Sequence, residues 1–83
     1  MLYLVEVRAA GGFRLKLRFS DGMEGTVDLS SFLWGPVFEP LRDPAAFGLF
    51  RISPVSGALE WENGADIAPE ALEELVKTGR KYL

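Results

Sequence analysis

Histidine and cysteine are both absent from this 83-residue sequence. Without cysteine there is no disulfide framework and no thiolate chemistry, a composition suited to a reducing compartment. Without histidine the chain lacks the commonest metal ligand and the commonest general base at neutral pH. Ser-His-Asp and Cys-His arrangements and ordinary zinc sites cannot be built from it. An excess of positive charge is missing as well. Nine Lys and Arg stand against twelve Asp and Glu, a net charge of −3, which gives no global attraction to nucleic acid or to an anionic membrane. No long apolar run is present: Met1 to Val7 has no basic start and meets Glu6 and Arg8 too early for a signal peptide or a membrane span. These absences predict a cytoplasmic protein without a cofactor, a metal or a membrane partner, and not an enzyme.

What is present is apolar and aromatic. The chain is 48% hydrophobic, with six Phe, two Trp and two Tyr, enough to pack one core, so residues 1–83 are expected to form a single domain. Tyr3, Val5 and Val7 alternate with polar neighbours and predict a first strand with a buried odd face. Phe13, Leu15, Leu17 and Phe19 alternate with Arg14, Lys16 and Arg18 and predict a second. Matching the odd faces sets Val7 opposite Leu15 and Glu6 opposite Lys16, around an Ala10-Gly11-Gly12 loop. At Asp21-Gly22 a two-residue turn would oppose Phe19 and Glu24. A three-residue turn, Ser20 to Gly22 with Gly22 left-handed, instead aligns Phe19 with Met23 and Leu15 with Val27, and pairs Arg18 with Glu24 and Arg14 with Asp28. The third strand is then Met23 to Leu29.

Periodicity is lost from Ser30 to Gly48. Ser30 or Ser31 is placed to cap a turn, and Asp43-Pro44 reads as a helix cap followed by a first helical residue. Phe32, Trp34, Phe38 and Phe47 bring more apolar area than a solvated loop carries, so this connector is expected to plug one end of the core. A second hairpin, Leu49 to Ser53 with Ala58 to Trp61, sets Ile52 opposite Leu59, Phe50 opposite Trp61 and Arg51 beside Glu60. Asn63-Gly64 turns the chain, and Asp66 is placed to cap backbone N–H groups there or at the helix that Pro69 begins. Residues 72, 75, 76 and 79 make that helix's apolar stripe, with Glu73 and Lys77 as an i, i+4 pair and Gly79 as its stop. The predicted architecture is α+β: a small, mostly antiparallel sheet made of a three-strand meander and a second hairpin, a connector of short helices, and one C-terminal helix on a sheet face.

The ordered set Phe19-Ser-Asp21-Gly22, Val27-Asp28-Leu29, Gly35-Pro36-Val-Phe38, Leu41-x-Asp43-Pro44, Phe47 and Trp61-x-Asn63-Gly64-x-Asp66-Ile67-x-Pro69 resembles the bacterial family known as domain of unknown function 2442. The resemblance spans nearly the whole chain and implies a small α+β domain. Relatives followed by a helix-turn-helix, or encoded beside small toxin-like genes, imply an antitoxin-like or regulatory-partner role. This chain stops at Leu83 after one predicted helix, so no helix-turn-helix is expected within it.

Three constellations could carry function. Trp34, Pro36 and Phe38 place aromatics on a stiff loop, the kind of residue enriched at protein interfaces; against this stands their use as core. Arg14, Lys16 and Arg18, with Arg8 nearby, form a basic stripe able to meet phosphates, although each has a carboxylate within reach in the register above. Glu60, Glu62, Asp66 and Glu70 are an acidic group that fits no calcium-loop spacing. Gly11-Gly12 and Gly22-x-x-Gly25 punctuate hairpins and do not open a helix after a strand, as a phosphate-binding loop must. The expected function is a non-enzymatic interaction module, a homo-oligomer or the partner of a small protein. The alternatives are a regulator that binds nucleic acid through the basic stripe, although nucleic acid is not the expected partner, and a carboxylate-based enzyme.

Overall fold

The structure, a computed structural model, describes residues 1–78. Among the described residues six strands and two helices run in the order β1 (Leu4–Ala9), β2 (Arg14–Phe19), β3 (Glu24–Asp28), α1 (Pro44–Phe47), β4 (Arg51–Ile52), β5 (Leu59–Glu60), β6 (Asp66–Ile67), α2 (Pro69–Thr78), with 3-10 turns at Ser30–Phe32 and Glu39–Arg42. The strands form two antiparallel three-strand sheets, β1-β2-β3 and β4-β5-β6. This is the predicted α+β class, but the second hairpin has grown into a second meander. Asp66 supplies a strand and not a cap: it sits opposite Glu60, and Ile67 opposite Leu59. The Asn63 side chain makes the turn between them, its Oδ1 accepting from the Ala65 N–H at 3.1 Å.

The β2–β3 register is the one that parity and charge require. Leu15 faces Val27, Arg18 faces Glu24 and Arg14 faces Asp28. The turn closes through Phe19 N–H to Met23 O at 2.9 Å and Gly22 N–H to Phe19 O at 3.0 Å, with Gly22 at φ 91. Along β2 the even positions are exposed and Leu15, Leu17 and Phe19 are buried. Each such side chain stabilises the fold by roughly 1.5–3 kcal/mol through the surface it removes from water.

Strand β1 departs from the prediction. Val7 lies opposite Leu17, Arg8 opposite Lys16 and Glu6 opposite Arg18, a shift of two residues. The three-residue loop is Gly11 to Phe13, closed by Ala10 N–H to Arg14 O at 2.9 Å. Phe13 leaves the strand because it has a better partner: its ring meets Phe47 edge-on, with centroids 5.1 Å apart. A two-residue shift keeps every side chain on its face. Face is then lost further on, where a bulge between Leu4 and Glu6 inverts the alternation. Leu4 turns into the core, and Tyr3 and Val5 are exposed.

The two sheets meet where the Leu4 N–H donates to Gly57 O at 2.9 Å, in the β4–β5 turn. Within the second sheet, Arg51 faces Glu60 and Ile52 faces Leu59, as the four-residue loop requires. One core runs through both sheets and joins Leu15, Leu17, Phe19, Leu29, Leu33, Leu59, Trp61 and Leu72. Helix α2 begins at Pro69, buries Leu72 and Leu75, and sets Val76 over Gly25 of β3. Position 79 of the apolar stripe and the predicted Gly79 stop lie outside the described residues. Among the described residues no helix is long and apolar enough to cross a membrane.

The seating of α2 leaves no room at Gly25. A Cβ there would lie 2.5 Å from Val76 Cγ1, and a β-branched side chain has few rotamers into which to retreat. Gly25→Ala is expected to destabilise the protein by about 1–3 kcal/mol in denaturant titration. The double variant Gly25→Ala/Val76→Ala should recover part of that loss. Equal losses in the single and double variants would refute the packing account.

Candidate functional site

The connector between β3 and β4 is held in place mainly by polar contacts to its backbone. Asp28 Oδ1 accepts from the Ser30 N–H at 2.9 Å and starts the first 3-10 turn, the role expected of Ser30 or Ser31. Asp28 does this better because an Asx turn reaches two residues forward from the end of the strand. Asp43 caps α1, its Oδ1 accepting from the Ala45 N–H at 3.2 Å with Pro44 at the first helical position. The Arg42 guanidinium donates to Leu33 O, the Glu39 N–H to Gly35 O at 2.9 Å, and Asn63 Nδ2 to Val37 O at 2.9 Å. Trp61 packs against Phe47, centroids 5.8 Å apart, and donates its indole N–H to Phe47 O at 2.9 Å. The ring contact is with Phe47 of α1, while the β4–β5 register remains the predicted one in which Phe50 falls opposite Trp61.

This scaffold sorts the connector's apolar residues. Leu33, Leu41 and Phe47 are buried, and Phe32 and Phe38 are half-buried against the core. Trp34 is 65% exposed, Val37 46% and Leu49 72%, and Pro36 is exposed too. Of the predicted surface trio, therefore, Trp34 and Pro36 face outward while Phe38 belongs mostly to the core plug. Val37 and Leu49 are additions that sequence reasoning did not single out. Beside them lies a groove of about 200 Å³ lined by Pro40, Leu41, Ala46, Leu49, Trp61 and Asn63, with Glu62 also contributing.

The outer face of the first sheet carries the basic stripe. Arg14, Lys16 and Arg18 are all exposed, and Arg8 stands directly across from Lys16. Carboxylates are interleaved with them. Glu6 binds Arg8 through Oε2 and Arg18 through Oε1, the latter at 3.3 Å, while Glu24 and Asp28 oppose Arg18 and Arg14. The hydrogen bond and charge of Arg8, with a smaller contribution from Arg18, hold the Glu6 carboxyl below its usual range. A shallow cavity of about 280 Å³ lies among Glu6, Arg8, Lys16, Arg18 and Glu24. Four cations against three carboxylates make this face nearly neutral. Arg8 facing Lys16 is the one pairing of like charge in its register.

Of the acidic group, the fold sets Glu60 and Asp66 opposite each other in the second sheet, and Glu60 also binds Arg51 at 2.7 Å. Among the described residues no three Asp or Glu side chains gather in a way that could hold a metal ion. A different acidic pair is brought together, Asp21 of the β2–β3 turn and Glu73 of α2, and both line one cavity. Separated by most of the chain, it left no signal in the sequence.

Comparison with known protein families matches residues 4–78 to the family described as "Protein of unknown function (DUF2442)". The chain belongs to this family. Among curated proteins, none matches. Among solved structures, a crystal structure from Nitrosomonas europaea ATCC 19718, described as a "Putative DNA Binding Protein", is similar with a TM-score of 0.73 and 24% identity. The match covers 98% of this chain and 54% of that one, so this DUF2442 chain spans about half the length of its structural relative. At that identity the likeness shows the fold alone.

Proposed function

We propose that this DUF2442 chain is a protein-docking domain whose docking surface is the connector. The observation that carries this reading is the outward display of Trp34, Val37 and Leu49 by a segment whose Leu33, Leu41 and Phe47 are buried and whose backbone is pinned by Arg42 and Asn63. A mobile loop would pay ordering entropy on binding, whereas a pinned one has already done so. The groove of about 200 Å³ is smaller than the roughly 300–1,000 Å³ of small-molecule pockets. It suits a single apolar anchor from a protein. Glu62 in its lining and Glu39 beside Pro40 favour a partner with Lys or Arg next to that anchor. In this reading the protein is a non-enzymatic regulator, such as the antitoxin-like partner of a small basic protein in the cytoplasm.

The test is co-expression with the products of the adjacent genes, followed by measurement of affinity. Wild type should form a complex, and Trp34→Ala should weaken it by about 2 kcal/mol, roughly thirtyfold, without altering thermal stability. Leu49→Asp should act in the same direction. Complexes of undiminished affinity would refute the surface. A homodimer that Leu49→Asp dissolves would place a second copy on the same patch and remove the foreign partner.

A second reading rests on the first sheet. Arg8 opposite Lys16 is a like-charged pair that an anion would relieve, and the Nitrosomonas europaea protein is described as a "Putative DNA Binding Protein". If this face binds nucleic acid, Lys16→Glu should abolish binding at low salt, where phosphate attraction is largest. Absence of wild-type binding under those conditions rejects it.

A further inference from the structure

Among the described residues Glu73 is the only charged side chain in the buried class, 9% exposed, on the face of α2 that also buries Leu72. Its Oε1 lies 3.8 Å from Lys77 Nζ. Its Oε2 is shut off from solvent, and no N–H or hydroxyl donor reaches it among the described residues. Another acid shares these surroundings: Asp21, whose Oδ1 accepts from the Met23 N–H at 3.0 Å, lines a cavity of about 460 Å³ together with Glu73, Met1, Leu2, Tyr3 and Ser20.

Two carboxyl groups can hydrogen-bond to each other only when one of them holds a proton, and the surroundings favour that proton on Glu73. Asp21 is exposed and accepts a backbone N–H, which favours its charged form, whereas Glu73 is buried with an oxygen that lacks a donor, which favours its neutral form. We propose that Asp21 and Glu73 are an acid-responsive latch: a proton held by Glu73 and donated to Asp21 ties α2 to the β2–β3 turn, and its loss sets two negative charges against each other. The directions of titration agree with this. The hydrogen bond to Asp21 first, then burial, then the Asp21 charge raise the Glu73 carboxyl above its ordinary value, against the opposing charge of Lys77. The Met23 N–H first, then the bond to Glu73, lower Asp21. The other groups that face the pair are Glu70 and Lys77 on α2, and Tyr3 and the Met1 amino group on the cavity wall.

The sign of the pH dependence follows. A group whose pKa is raised on folding stabilises the fold fully below its unfolded value, and the stabilisation is lost as pH rises through the folded value. Glu73 therefore makes stability fall on the alkaline side. Asp21, lowered on folding, makes it fall on the acid side. The latch is strongest between the two, with Asp21 charged and Glu73 neutral.

The experiment is urea unfolding of the full chain across pH 4 to 9, for wild type, Glu73→Gln and Asp21→Asn. For wild type the unfolding constant should rise with pH as Glu73 ionises, by up to about tenfold per pH unit, the limit for one proton. Glu73→Gln keeps a donor to Asp21 at every pH and should flatten that limb. Asp21→Asn keeps the acceptor for Met23 and offers its own amide to the Glu73 carboxylate, and should flatten it as well. Protection of the Leu75 and Val76 amides, corrected for intrinsic exchange, should fall with the wild-type limb alone. Parallel profiles in all three proteins would overturn the latch. So would stabilisation by calcium chloride of wild type but of neither variant, because the pair would then hold a cation in place of the proton.

Discussion

Trp61→Ala is expected to remove about 3–5 kcal/mol of unfolding free energy, the range for deleting a large buried aromatic. Total stability for a domain is of order 5–15 kcal/mol, so the loss is a large fraction of the whole. The size of the loss follows from two roles. Trp61 is 3% exposed and packs against Phe47, which in turn holds Phe13, so its ring is the second-sheet end of a relay of aromatics, centred on Phe47, that joins the first sheet to the second. Its indole N–H also satisfies Phe47 O, and a buried acceptor left alone costs a further ~1–3 kcal/mol. Trp61→Phe separates the two roles, because it keeps a ring and loses only the donor, and should cost markedly less. Denaturant titration followed by far-UV circular dichroism makes the comparison without relying on tryptophan emission. A loss below 1 kcal/mol for Trp61→Ala would mean that the joint is held elsewhere.

Gly57→Ala should cost about 2–5 kcal/mol, although it adds a single methyl group. Gly57 sits at φ 73, where an L side chain costs roughly 1–2 kcal/mol. The new Cβ would also lie 2.2 Å from Tyr3 Cβ and 3.1 Å from Tyr3 Cα. Backbone cannot rotate aside as a side chain can, so β1 must move away from the β4–β5 turn and strain the Leu4 bond to Gly57 O, adding roughly 1–3 kcal/mol. Gly35→Ala is the control. It has φ 87 but nothing within 4 Å of its Cβ, and should show the conformational part alone. Thermal unfolding of the two variants side by side decides the matter, and equal losses would remove the contact between sheets from the account.

What could be read from the sequence was mostly local or fixed by parity. The β2–β3 register was legible because two charge pairs and the apolar faces agree on one turn length, and Asp43-Pro44 because a cap and its proline are adjacent. The β1–β2 register was not. A shift of two residues preserves every face and still gives Glu6 a cationic partner, so nothing local separates the choices; Phe13 settles it by reaching Phe47, 34 positions away. Strand β6, two residues between a turn and a helix, is too short to show a period. The same limit governs the site. Composition marks the connector as apolar, but the placement of Arg42 and Asn63 determines that Phe38 turns in while Trp34, Val37 and Leu49 stay out. The pairing of Asp21 with Glu73 depends wholly on where α2 comes to rest.

The strand order has a kinetic consequence. Every ladder joins strands adjacent in sequence, so each hairpin closes only a short loop, and short loops cost little chain entropy. The two meanders can therefore form early and separately, each within its own half of the chain. The slow event is their meeting, where β1 must find the turn that carries Gly57 across some fifty intervening residues. Substitutions inside either meander, already formed when the halves meet, should therefore slow folding, whereas contacts that tighten only after the meeting should act chiefly on unfolding.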